Sequence, residues 1–288
     1  MKRSHLIPSM ILVLALLAGA ASVQQKVRLS DNAALRYWSA FAQMQDYAVT
    51  DEEAKKLNGI LDGPVPYDDS KYKELVAKNR PALDTMARAT ALPDCDWGID
   101  YQLGSEAPVD YARKGLALAR LNVLYAFHLQ TIGDKEGTAR ALVAGLRFSH
   151  DVANGGTLFA TLAAKDLLVE HFRAIAFVLH TGGLSAPQRL VLQKALGQLG
   201  PHPLDWQSAV KREMDVLNRP PSQASVLLGN ISQAYVSTLN DPSILPKLQQ
   251  MIASAPHSLQ DVVPNPKRVL QEKLDLTDKL QQMRSSPQ

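Results

Sequence analysis

Cysteine is nearly missing from this chain. Cys95 is the only one in 288 residues, so no intramolecular disulfide can form and stability has to come from a core. Excess charge is missing as well. The formal net charge is +3, and it falls to +1 once Lys2 and Arg3 are set aside with a leader. That balance offers no basic stripe for a nucleic-acid partner. Alternating apolar and polar runs bounded by turns are not found, which excludes a sheet and makes the class all-α. Catalytic fingerprints are absent too: no nucleophile elbow, no phosphate loop, no dinucleotide fingerprint, no His-Glu-x-x-His and no Glu-x-x-His pair. No cofactor and no metal site are therefore expected.

The N-terminus carries the parts of a secretory signal. Lys2 and Arg3 are followed by an apolar run from Met10 to Ala18, and Ala18-Gly19-Ala20 supplies small residues at the cleavage positions. Cleavage after Ala20 predicts an exported protein, periplasmic or extracellular. The alternative is an uncleaved membrane anchor, since residues 6–23 form an 18-residue run without Asp, Glu, Lys or Arg. The expected organisation is a leader at 1–20, a linker at 21–30, a helical core at 31–200 and C-terminal helices at 201–288. The latter pack on or extend the core.

Helix signals fill the rest. Asn32 precedes an apolar face through Leu35, Trp38 and Ala42. Thr50 and Glu53 form a capping box, and Asp68 to Ser70 start a helix that Pro81 should kink or break. Residues 91–107 form an irregular stretch, after which Pro108 suits a helix start. From Ala112 to Leu199 the chain reads as four helices divided by Gly133-Asp134, Asn154-Gly155-Gly156 and Gly182-Gly183. The first is apolar nearly all round, as an interior helix is, and antiparallel helices with such short turns suit either a stacked α-solenoid array or a bundle. Thr157 and Ser185 are caps for the last two. Prolines cluster at 201–221 around a further helix, and Asn265-Pro266 opens the final one.

Gly133-Asp134 followed by Thr138, Leu142, Gly145 and Leu146 resembles the second half of a tetratricopeptide repeat. A second resemblance spans most of the chain beyond the leader. Asn32-Ala33-Ala34 with Tyr37, Pro93-Asp94-Cys95-Asp96-Trp97-Gly98, Gly183-Leu184-Ser185 and Asn265-Pro266 occur in this order. Together they are similar to a group of exported bacterial proteins with helical-repeat character. That resemblance implies the fold and the compartment and implies no activity.

Three constellations could carry chemistry. Asp94, Asp96, Trp97 and Asp100 fall within seven residues, and closely spaced carboxylates on a loop suit a cation or polar ligand. The competing reading has Trp97 and Cys95 plugging the first helices onto the core while the Asp residues cap turns. His150 and His171 sit on apolar stripes without metal-ligand partners, so both read as core histidines. Asp166, Glu170 and Arg173 read as an exposed charge row. Ser70-x-x-Lys73 and Ser208-x-x-Lys211 match a penicillin-recognising motif, but the accompanying motifs are out of order and lack a strand. The reading that remains is a non-enzymatic exported protein that binds a protein or peptide between helices. Its alternatives are an unrecognised enzyme or metal protein centred on 94–100, and a subunit tethered by its leader.

Overall fold

The computed structural model describes residues 31–45, 50–63, 65–106, 109–218 and 225–285. The leader, the linker and Pro108 lie outside the described residues. Those described build an all-α protein. Asn32 and Asp94 form an isolated bridge and no strand extends it. No helix among the described residues is long and apolar enough to cross a membrane.

Twelve helices are described: α1 (Ala33–Gln43), α2 (Asp51–Leu61), α3 (Asp69–Ala89), α4 (Asp110–Thr131), α5 (Lys135–Ala153), α6 (Leu158–His180), α7 (Ala186–Gln198), α8 (Trp206–Leu217), α9 (Ser225–Asn240), α10 (Leu245–Ala253), α11 (His257–Gln260) and α12 (Pro266–Ser285). The centre is the trio α4, α5 and α6, each packed on the other two. α1 pairs with α3, and α3 lies against α4 and α5. α7 covers α5. At the other side α8 packs on α6 and α9 on α8, and α12 returns to lie across α6 and α7.

The turn chemistry follows the sequence closely. Gly133 has φ of 79°, a conformation that costs glycine nothing. It delivers Asp134 to cap α5 by accepting the Gly137 N–H at 2.8 Å. Thr157 caps α6 in the same way, from Ala160. Thr50 caps α2, but the Glu53 carboxylate pairs with Lys56 instead of closing a capping box. Ser185 makes no cap bond to the backbone and spends its hydroxyl on Gln188.

The break offered as one outcome at Pro81 does not occur. α3 runs unbroken through Pro81. Two features of the same helix hold it in place there. Ala82, Leu83 and Met86 are buried beyond the proline, and the buried Asn79 bonds both the Leu75 carbonyl and the backbone of Gln45. Packing outweighs the lost bond. Between α10 and α12 the chain makes only the single turn α11.

The small residues in α5 answer to two neighbours at once. A Cβ on Gly145 would stand 2.0 Å from His171 Nε2 on α6 and 2.6 Å from Asn122 Nδ2 on α4. Glycine is what allows both helices to press on α5 at one level.

Candidate functional site

The 94–100 segment divides into an inward and an outward half. Asn32 caps α1 by accepting the Ala34 N–H, and its side-chain amide also bonds the Asp96 backbone in both directions. The segment is thereby clamped to the start of α1. Trp97 then turns inward and is 5% exposed. It stacks on Tyr111 at 4.3 Å and faces Tyr37, Trp38 and Phe41 within 6.2 Å. Its indole N–H donates 2.8 Å to the backbone carbonyl of Asp151.

The three carboxylates point the other way, into water. Asp96 accepts from Gly98 N–H and Asp100 from Gln102 N–H, both at 2.9 Å. These are local turn bonds, the kind Asp makes in any loop. The Asp94 backbone carbonyl receives Ala33 N–H, and its side chain is exposed. So the structure brings Trp97 to the core and leaves Asp94, Asp96 and Asp100 apart from it. Among the described residues no three His, Cys, Asp or Glu side chains converge as a metal ion requires.

Under the tryptophan lies a group the sequence pattern did not disclose. The Asp151 carboxylate is fully buried and accepts the Tyr37 hydroxyl at 2.6 Å, with Arg147 Nε 3.2 Å away. Burial, and then the Asp151 charge, push the Tyr37 phenol far above its ordinary range. Burial likewise holds the Cys95 thiol protonated, which removes it as a nucleophile.

His171 is wholly buried, as expected. Its Nδ1–H donates to the Leu167 carbonyl at 2.8 Å, and its Nε2 lies 3.2 Å from the Asn122 amide, which also serves the Ala141 carbonyl. Burial lowers its pKa to about 4. His150 departs from expectation: its side chain is 37% exposed at the edge of α5. Glu170 departs in the opposite sense. It is buried and paired with Arg120 on α4, at 3.0 Å, whereas Asp166 on the same face is exposed.

One open cavity has a different character. Between α8 and α9 lies a cleft of about 360 Å³, within the size range of ligand pockets. Its floor is apolar, from Met214 and Leu228. Its walls carry Lys211 and Asp215 on α8 and Ser232 and Gln233 on α9. The side chains of these four polar residues have no hydrogen-bond or ion-pair partner among the described residues. Gly229 borders the same space, and a Cβ placed there meets nothing within 4 Å. Lys211 and Asp215 look in sequence like one more solvated helix pair, and only the fold of α9 against α8 turns them into a rim.

The chain matches no protein-family model, no curated protein and no solved structure.

Proposed function

We propose that this is an exported, non-enzymatic helical-repeat protein that holds a peptide segment of a partner in the cleft between α8 and α9. The observation that carries this reading is the lining of that cleft. An apolar floor is bounded by charged, hydroxyl and amide side chains that the protein's own interior leaves unused. Such a mixture suits an extended backbone with one apolar side chain, for which polar groups fix orientation and the floor supplies burial. The 94–100 segment, by contrast, has its aromatic ring committed to packing and two of its carboxylates to turns.

The test uses a variant that fills the cleft. Gly229→Phe adds a ring where open space exists. Displayed random peptides should be enriched by the wild-type protein and not by this variant. Equal enrichment on both proteins, or none on either, would sink the proposal.

A further inference from the structure

We infer that the rim of the α8–α9 cleft is also a contact between two copies of this chain, paired about a two-fold axis through Lys211 and Asp215. This goes beyond the peptide reading above and stands without it, since only the surface is shared. A second copy and a peptide then compete for one rim.

Lys211 and Asp215 are one helical turn apart on α8, both line the cleft and both are exposed. They have opposite signs, and neither is neutralised by another described residue. A two-fold axis that crosses α8 at right angles between them reverses the helix direction in the second copy. Lys211 then faces the partner's Asp215, and Asp215 faces the partner's Lys211. One surface thus makes two ion pairs with itself, so a second copy matches it by symmetry alone. The α9 side of the cleft suits the same use. Gly229 is exposed inside α9, and a Cβ placed there meets nothing within 4 Å. Glycine inside a helix costs about 1 kcal/mol relative to alanine, and no neighbour in its own chain requires it. Gly145 shows what such a residue does in this fold, where it lets two helices press on a third. At Gly229 the equivalent space opens to solvent. Three residues earlier on the same face, Val226 is 76% exposed, more than any other large apolar side chain among the described residues. Pairing takes it out of water.

The experiment is sedimentation equilibrium on the full-length protein. A contact this small should be weak, with a Kd on the order of 100 µM. Lys211→Glu leaves two acidic groups on the rim and Asp215→Lys leaves two basic ones. Each variant alone should pair about tenfold or more weakly than the wild type, through like-charge repulsion. An equimolar mixture of the two should pair at least as well as the wild type, because every acidic group then meets a basic one. A misfolded variant does not recover on mixing. Gly229→Phe added to both should abolish the mixed pair. The inference is overturned if the mixture associates no more than its components, or if the wild type stays single at millimolar concentration. A mixed pair that survives Gly229→Phe places the contact elsewhere and overturns it too. Displayed peptides enriched by a wild type that stays single would leave the peptide reading standing and this inference fallen. Copies that pair as described but enrich no peptide would do the reverse.

Discussion

Trp97 has the most to lose by substitution. Its ring fills the space among Tyr37, Phe41 and Tyr111, and its N–H satisfies the Asp151 carbonyl. Trp97→Ala should destabilise the protein by about 3–5 kcal/mol, the cost of a large cavity plus an orphaned carbonyl. Asp96→Ala and Asp100→Ala each remove a single exposed turn bond and should cost about 1 kcal/mol or less. Urea midpoints for the three variants check this ordering. Should Asp96→Ala prove as damaging as Trp97→Ala, the segment is more than a plug. The sequence already marked these residues as unusual, and it offered the plug as one of two readings. What it could not supply was direction. A loop has no periodicity, so nothing in the pattern says that the indole goes in while the carboxylates stay out. Asp151 was hidden for a related reason, since an acidic residue on a helix ordinarily faces water.

Among the helices, boundaries were legible wherever a cap or a glycine punctuates the chain, as at Asn32, Asp134 and Thr157. Charge placement was less so. Asp166, Glu170 and Arg173 share one side of α6, and the first is exposed as a charge row would be. Glu170 is buried because Arg120, 50 positions earlier on α4, crosses to meet it. Helical spacing says nothing about such a pairing between elements. Both guanidinium contacts fall on one oxygen, Oε1, and the buried Oε2 has no partner. Burial accordingly raises the Glu170 pKa even against the pull of Arg120. Arg120→Met should cost about 3–5 kcal/mol by stranding the carboxylate, whereas Arg120→Met with Glu170→Met should recover most of it. Chemical denaturation of the single and double variants measures the difference. A double variant as unstable as the single would mean the pair contributes stability of its own.

The molecule as a whole should lose stability in mild acid, and His171 supplies part of the slope. Its pKa is lowered by burial to about 4, from an ordinary value of 6.5. Between those values the unfolded chain binds the proton and the folded one does not, so stability falls as pH drops from 6.5 toward 4. Fully developed, this amounts to roughly 3 kcal/mol. Protonation would also set Nε2 as a donor against the Asn122 amide. The unfolding free energy of His171→Gln should therefore vary less with pH than that of the wild type. Parallel curves between pH 7 and 4 would place the acid sensitivity elsewhere.

The bond between Tyr37 and Asp151 spans 114 residues of chain. Synthesis at about 5–20 residues per second leaves roughly 6–23 s between the appearance of its two ends. Trp97 arrives part-way through that interval, but Phe148 and the Asp151 carboxylate, which meet the same face of α1, come only at its end. Translation order therefore leaves part of the face of α1 uncovered long after the helix itself has been made, and its aromatic rings are the part of a nascent chain that a holding chaperone would meet.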